Sequence, residues 1–256
     1  MKIKCGVQFY TLRKYAKDKE GVEKCFKFCK EVGAEVVQLS AVAELSPDVF
    51  FNLSKEHNLE ICTTHKKYDK IVNNTKELCK EHQTYNCNIM GLGMIPKQKF
   101  DIGSKEDILK FCEEMNKAQK IAQEFNINLA YHNHDFEFKK IGDELIYDIL
   151  IENLDKNILF ILDTFWVDFA GEDVLKWIDV LNSRLGVLHL KDTKLYLNKF
   201  KWMTRLGKGR TDFAAILQRA ESKGCKYALI ELDFSLNPFK AVKESMEYLK
   251  KVYIDK

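Results

Sequence analysis

The sequence has no apolar run of the ~18 to 20 residues that a membrane-spanning helix needs. It also has no proline-, glycine- or serine-rich segment that would separate two domains. A dominant charge is missing as well, because 41 lysines and arginines against 38 aspartates and glutamates leave a net charge of +3. Both signs are interspersed along the chain, which is a poor electrostatic footprint for a DNA duplex or an anionic membrane. We therefore expect one compact domain, residues 1–256, with a small-molecule partner, no nucleic-acid or membrane partner, and a homo-oligomer left open.

The eight cysteines form no C-x-x-C pair, so the spacing indicates neither a disulfide framework nor a metal cluster. Most of them lie on apolar faces of predicted strands and helices. The first residues lead straight into a strand pattern without a secretory signal before it. We expect buried free thiols in a cytoplasmic protein, where the environment is reducing.

Short apolar or β-branched segments alternate with longer amphipathic segments along the whole chain. The predicted strands are Lys4–Phe9, Glu35–Ser40, Leu59–Thr63, Cys87–Leu92, Ile127–His132 or a little beyond, Ile158–Asp163, Leu185–Leu190 and Tyr227–Leu232. Their starts lie about 32 residues apart on average, the length of one strand and one crossover helix. Between them, Ser104 begins a capping box and Pro238 begins the last helical pattern. Eight evenly spaced units favour an α/β fold of the (β/α)8 TIM barrel type over a doubly wound sheet, because closure leaves no edge strand.

Each of the last four predicted strands ends in an imidazole or a carboxylate. These side chains are His134, Asp163, His189 and Glu231. In a barrel the C-terminal ends of the strands meet around one opening, so we expect the four groups to converge. Alone, each would fit a helix cap or a hydrogen-bonded rim residue, but four buried ionisable groups are costly unless they are paired or bind a metal. Two imidazoles and two carboxylates suit one divalent ion (Mn, Co, Fe or Zn, with Mg also left open) better than Ca²⁺.

Earlier strand ends supply candidates for substrate contact. Tyr10 follows the first strand, Gln38 lies on the second, and His65 follows the third. Trp166, three residues after Asp163, is predicted to form an apolar wall of the pocket. Each has a structural alternative: Gln38 fits a polar layer of the barrel equally well, His65 fits the rim, and the indole of Trp166 fits plain packing.

Several motifs at the strand ends carry a family resemblance. They are Gly6-Val-Gln-Phe-Tyr-Thr-Leu-Arg13, Tyr131-His-Asn-His-Asp-Phe-Glu-Phe138, Leu162-Asp-Thr-Phe-Trp-Val167, His189-Leu-Lys-Asp192, Leu206-Gly-Lys-Gly209 and Ile230-Glu-Leu-Asp233. With them the chain resembles, from end to end, the xylose isomerase-like superfamily of sugar phosphate isomerases and epimerases, which also includes apurinic endonucleases. The resemblance implies a (β/α)8 barrel with one divalent metal, held by the residues that close strands five to eight.

One position departs from that pattern. The fifth-strand ligand in epimerases of this type is usually glutamate, whereas this sequence offers His134, with His132 two residues before it and Glu137 three after it. Residues two apart on a strand share a face, so His134 is predicted as the ligand and Glu137 is not. An imidazole in place of the carboxylate removes one of the two carboxylates that flank the reacting carbon in a two-base epimerisation. Glu231 remains as proton acceptor, with Glu137 or His132 for the other face.

These residues predict a metal-dependent sugar isomerase or epimerase that abstracts a proton next to the carbonyl of a sugar or keto-sugar. Lys191 is predicted to bind a substrate hydroxyl or neutralise the enolate, with a surface salt bridge to Asp192 as its structural alternative. The same enediolate can expel a leaving group, so a lyase or dehydratase acting on a keto-sugar or keto-glycoside is the alternative function. A DNA-repair endonuclease would need a multi-metal site and a basic groove, and a barrel that only binds sugar would not need four converging ligands.

Overall fold

The computed structural model describes residues 2–197 and 200–256. Within them, eight parallel strands close into a barrel. The strands are β1 (Lys4–Gln8), β2 (Val36–Leu39), β3 (Glu60–Lys66), β4 (Ile89–Leu92), β5 (Asn128–His132), β6 (Leu159–Asp163), β7 (Leu185–Leu190) and β8 (Tyr227–Ile230). Because β1 pairs with both β2 and β8, the ring is complete. The predicted TIM barrel and its eight strands are confirmed.

Ten α-helices in the described part of the chain accompany the barrel. They are α1 (Lys19–Val32), α2 (Pro47–His57), α3 (Tyr68–Asn73), α4 (Thr75–Thr84), α5 (Lys105–Gln123), α6 (Ile146–Asn153), α7 (Thr164–Phe169), α8 (Val174–Leu181), α9 (Phe213–Ser222) and α10 (Pro238–Leu249). As predicted, the Ser104 side chain accepts a hydrogen bond from the Asp107 N–H at the start of α5, and Pro238 is the first residue of α10. Among the described residues, no helix is both long and apolar enough to cross a membrane.

Two β-hairpins outside the barrel are missing from the strand prediction. One joins Lys140–Ile141 to Glu144–Leu145, and the other joins Asp192–Tyr196 to Phe200–Thr204. These strands lack the continuous apolar run of the barrel strands, because they do not pack on both faces. Except for the buried Asp192 and Thr193, their residues are therefore partly or largely exposed, Trp202 among them at 66%.

An apolar layer inside the barrel forms the floor beneath the functional residues. It contains Val36, Cys62, Ile89, Ala130, Ile161, Val187 and Leu229, one from each of seven strands. Successive residues of a strand alternate between its faces, so the residue two positions further on also faces the barrel axis. This alternation places Gln38, His132, Asp163, His189 and Glu231 one layer higher, toward the C-terminal ends of the strands.

All eight cysteines are buried and free, as predicted. Burial raises the pKa of each thiol, that of Cys5 and of Cys225 to about 12. The thiols therefore stay protonated and serve as small apolar side chains of the core.

Candidate metal centre

Four buried side chains meet at the C-terminal mouth of the barrel: His132, Asp163, His189 and Glu231. Each offers one donor atom, and the four atoms lie within 4.8 Å of one another. Strand pairing explains part of the convergence, because Asp163 and His189 stand opposite each other on β6 and β7. Three of the predicted ligands are thus brought together.

The fourth member of the cluster is His132, where the sequence predicted His134. Strand β5 ends at His132, so the alternation of faces that predicted His134 stops before that residue. Beyond the strand, the Asn133 side chain turns inward and its Oδ1 accepts a hydrogen bond from the Asp163 N–H (2.9 Å). The ring of His134 packs beside that of Trp166, with 5.5 Å between ring centroids. The structure therefore replaces His134 by His132 in the converging set.

The outer nitrogen of each clustered imidazole faces a buried acceptor. His189 Nε2 donates to Gln38 Oε1 (2.7 Å), and His132 Nδ1 donates to the Gly93 carbonyl (3.1 Å). With its proton on Nε2, a neutral His189 presents the lone pair of Nδ1 to the cluster. Metal-binding histidines are held in this way. His132 Nε2 instead lies 3.3 Å from Asp163 Oδ2, so both nitrogens of His132 face acceptors. Gln38, predicted to contact substrate, is fully buried and instead orients His189.

The charge of the site fits a divalent cation. The carboxylates of Asp163, Glu231 and Asp233 surround the Lys191 ammonium, whose Nζ lies 3.0, 3.2 and 2.7 Å from their respective oxygen atoms. Three carboxylates around one ammonium attract a cation, and despite burial Asp163 and Glu231 raise the pKa of His132, whose proton a metal ion would displace. In addition, His189 Nδ1 and Glu231 Oε2 lie 2.7 Å apart without hydrogen-bond geometry, an arrangement that suits two ligands of one ion. The residues present therefore fit a divalent metal, and they do not decide which one.

Charge outweighs burial in setting the protonation of the two clustered carboxylates and of Lys191. Burial alone would raise the pKa of Glu231, but Lys191 and His189 hold it well below its usual range. Asp163 behaves alike: Lys191 and His132 lower its pKa despite burial. Burial would lower the pKa of Lys191, and the neighbouring carboxylates raise it instead. At neutral pH both carboxylates are ionised and Lys191 is cationic.

The carboxylate of Asp163 has a different contact on each oxygen. Oδ1 accepts hydrogen bonds from the N–H groups of Phe165 (3.0 Å) and Trp166 (3.1 Å), and so caps α7. Oδ2 faces His132 and Lys191. The sequence left two roles open for Asp163, a helix cap and a metal ligand. In the structure Oδ1 caps α7, and Oδ2 faces the cluster that could hold a metal.

A cavity of about 220 Å³ opens above the cluster. Its wall contains Tyr10 and His65, as predicted for substrate contact, together with His134, Lys191 and Glu231. His65 Nε2 and His134 Nδ1 are buried ring nitrogens without a hydrogen-bond partner in the described part of the chain. The cavity wall thus combines the carboxylates of Glu231 and Asp233 with an ammonium group and imidazole rings.

Glu137, predicted for the second face of the substrate, is not part of this wall. It is fully buried in the 3₁₀ turn Phe136–Phe138. Its Oε1 accepts a hydrogen bond from the Tyr131 hydroxyl (2.5 Å), and its Oε2 accepts one from the His134 N–H (2.8 Å). Burial raises the pKa of Glu137 to about 7, and these hydrogen bonds oppose the rise. Glu137 therefore fixes the loop that carries His134.

Trp166, predicted as a pocket wall, packs against His134 and is likewise outside the wall.

Lys191 and Asp192 do not form the surface salt bridge that was the structural alternative for Lys191. The Asp192 carboxylate accepts hydrogen bonds from the N–H groups of Gly209 (2.8 Å) and Thr211 (3.1 Å) and holds that loop. Lys191 instead contacts Asp233, a cavity residue that the prediction missed. The sequence feature that could have identified Asp233 is its position as a second acidic residue, two residues after Glu231.

Comparison with known proteins agrees with this architecture. Residues 66–252 match the sequence profile of the family described as xylose isomerase-like TIM barrel. Among curated proteins, the inosose dehydratase of Clostridium tetani is 30% identical over 94 residues, which is 36% of this chain and 31% of that protein. The inosose dehydratase of Clostridium perfringens is 28% identical over 92 residues, 36% of this chain and 30% of that protein. The match thus spans about three tenths of the length of these relatives.

Two solved structures share the barrel over nearly its full length. The sugar phosphate isomerase/epimerase of Parabacteroides distasonis has a TM-score of 0.80 at 20% identity, with 97% of this chain and 98% of that chain covered. The zinc-bound IolI protein has a TM-score of 0.76 at 15% identity, with 98% of each chain covered. At these identities the likeness shows the fold alone. Because the family profile covers more than half of the sequence, the chain belongs to the xylose isomerase-like TIM barrel family.

Proposed function

We propose that this chain is a metal-dependent enzyme that removes a proton from the carbon next to the carbonyl of a sugar or keto-sugar, as a sugar isomerase or epimerase does. The observation that carries the proposal is the double position of Glu231. Its carboxylate belongs to the four-residue cluster and also lines the cavity above it. A divalent ion held by the cluster would polarise the substrate carbonyl and make the neighbouring C–H bond more acidic.

The residues around the cavity have the properties that this reaction requires. Glu231 is ionised at neutral pH and accepts the proton on its carboxylate. The Lys191 ammonium, in the same wall, donates a hydrogen bond to the substrate oxygen that becomes negative. The imidazoles of His65 and His134 line the same cavity and would lie beside substrate hydroxyl groups.

A dehydratase or lyase acting on a keto-sugar or keto-glycoside is the second candidate, and the position of Glu137 favours it. Epimerisation by two bases needs a proton acceptor on each face of the reacting carbon. Both oxygens of Glu137 are hydrogen-bonded inside the loop, and His132 belongs to the same four-residue cluster as Glu231, so neither provides a separate second acceptor. Elimination needs one base: Glu231 takes the proton, the C–H electrons form a C=C bond, and the hydroxyl on the next carbon leaves as water with the proton that the Glu231 carboxyl returns to it. The curated relatives named inosose dehydratases support this candidate.

Proton NMR in D₂O tests the proposal and separates the two candidates. Protein loaded with Mg²⁺ or Zn²⁺, its metal content verified by elemental analysis, is incubated with ketoses, inososes and keto-glycosides. We expect deuterium to enter the carbon next to the carbonyl. A deuterated diastereomer or isomer would identify an isomerase or epimerase, and a new vinylic signal would identify a dehydratase or lyase. Metal-loaded protein that exchanges no proton in any substrate of the panel would contradict the proposal.

The base is tested by Glu231→Gln, with Glu81→Gln as the matched control. At saturating metal the first variant should lose exchange by the ~10² to 10⁴ typical of a missing general base. The second changes a carboxylate that is 38% exposed, pairs with Lys66 and lies outside the cavity wall, so it should exchange near the wild-type rate. If fully metallated Glu231→Gln exchanges as fast as the wild type, Glu231 is only a ligand.

A further inference from the structure

Lys191 contacts the same two oxygen atoms that the cluster would offer to a metal ion. Its Nζ lies 3.0 Å from Asp163 Oδ2 and 3.2 Å from Glu231 Oε2. The same Oδ2 faces His132 Nε2 at 3.3 Å, and the same Oε2 faces His189 Nδ1 at 2.7 Å. Lys191 is only 1% exposed, so solvent screens its charge weakly.

A divalent ion bound to these oxygen atoms would lie next to the Lys191 ammonium. Two cations that share acceptors in a buried site repel each other strongly, because the effective dielectric constant there is low. Either the ion binds less tightly than the ligand set alone would allow, or the ammonium moves away from the shared oxygen atoms.

Asp233 offers the ammonium another position. Its Oδ1 lies 2.7 Å from Lys191 Nζ, the shortest of the three contacts. Asp233 lines the cavity with a side chain that is 32% exposed, and it is not one of the four clustered residues. A lysine has a flexible four-carbon stem, so rotation can withdraw Nζ from the shared oxygen atoms and keep the contact to Asp233.

We propose that Lys191 competes with the metal ion for Asp163 and Glu231, and that metal binding withdraws the Lys191 ammonium from their oxygen atoms and leaves it on Asp233 at the cavity wall. The inference rests on the proposed function only in taking the cluster as a metal site. Lys191 then links two events: its charge opposes binding of the ion, and the bound ion keeps that charge at the cavity wall, where the substrate would lie.

The opposite role is that Lys191 holds the two carboxylates in place for the ion. The two roles predict changes of opposite sign in metal affinity, and isothermal titration calorimetry with Mn²⁺ alone measures that sign. If Lys191 competes, Lys191→Met should bind Mn²⁺ roughly 10- to 100-fold more tightly than the wild type, in the range of coupling between neighbouring sites. Lys191→Gln should change in the same direction, and it retains a polar side chain if the methionine variant does not fold.

Asp233→Asn tests the withdrawal step. Without the Asp233 carboxylate, the ammonium has only the shared oxygen atoms as charged partners, so Mn²⁺ should bind several-fold more weakly. In the double variant with Lys191→Met there is no ammonium to withdraw, and the effect of Asp233→Asn should largely vanish. An equal effect of Asp233→Asn in both backgrounds would show that Asp233 acts through its charge alone and would overturn the withdrawal step.

Lys66→Met is the matched control. Lys66 Nζ pairs with Glu81 at 2.7 Å, and its side chain is 23% exposed at the end of β3. The variant removes a positive charge at the same end of the barrel, and we expect unchanged Mn²⁺ affinity. Wild-type protein that binds Mn²⁺, with Lys191 variants that bind it equally or more weakly, would overturn the inference and leave the proposed function standing. Wild-type protein that binds no divalent ion would overturn both.

Discussion

Replacement of Gln38 by leucine tests whether the residue beneath the cluster prepares His189 for a metal. Gln38 Oε1 accepts the hydrogen bond of His189 Nε2 at 2.7 Å, and both side chains are fully buried. Leucine has a similar size and no acceptor. In Gln38→Leu the His189 proton loses its partner at Nε2 and can move to Nδ1, the nitrogen that faces Glu231.

The size of two effects follows from these contacts. A buried N–H without a partner costs about 1–3 kcal/mol, which drives the His189 proton from Nε2 to Nδ1, where Glu231 Oε2 lies 2.7 Å away. The free energy of unfolding should therefore fall by no more than that amount. Loss of the group that orients a metal-binding histidine costs typically 10- to 100-fold in metal affinity. Affinity should fall by that factor because the ion must displace a proton from Nδ1. Urea unfolding without added metal measures the first effect, and calorimetric titration with Zn²⁺ or Mn²⁺ measures the second.

Gln8→Leu is the matched control for Gln38→Leu. Gln8 stands opposite Gln38 in the pairing of β1 with β2 and is equally buried. Its Oε1 accepts a hydrogen bond from the Tyr10 N–H (3.1 Å), whereas that of Gln38 accepts one from His189. The control should therefore lose stability but keep its metal affinity. If Gln38→Leu also keeps wild-type metal affinity, Gln38 only packs the barrel and the reasoning about the His189 tautomer is refuted.

Three further predictions concern other parts of the chain. His132→Ala should lose the stoichiometric metal found by elemental analysis while His134→Ala retains it, and the reverse result would restore the assignment made from the sequence. Burial lowers the pKa of His82 to about 3, so below its unfolded pKa of ~6.5 the unfolded chain binds a proton that the folded chain does not. The free energy of unfolding should therefore fall by about 2 kcal/mol from pH 7 to pH 5 on account of His82, and urea titrations of His82→Gln that keep this pH dependence would contradict the prediction. The eight buried thiols should react with Ellman's reagent only after denaturation, and rapid reaction in the folded protein would contradict their burial.

The barrel was predictable because its signals are local. Each strand is a short apolar segment, each helix has an amphipathic period with its own caps, and the regular spacing of the units favours closure. The hairpin Asp192–Tyr196 with Phe200–Thr204 escaped prediction because much of it is exposed outside the barrel, where no burial pattern marks a strand.

The choice between His132 and His134 shows where local reasoning ends. His132 and His134 are two residues apart, so on an extended strand both side chains would face the barrel axis. The sequence therefore cannot tell which of the two imidazoles joins the cluster. The end of β5 separates them, and it depends on pairing with β6 and on the hydrogen bond between Asn133 Oδ1 and the Asp163 N–H, 30 residues away in sequence.

The sequence by itself determined the eight strand-and-helix units and the collection of imidazoles and carboxylates at the ends of the later strands. Periodicity and burial are properties of neighbouring residues, so they can be read along the chain. Only the tertiary structure decided the partner of each polar side chain. Gln38 meets His189 across 151 residues, and Lys191 meets Asp233 rather than its neighbour Asp192. Such pairings depend on the register of strands that are distant in sequence, and no local pattern encodes that register.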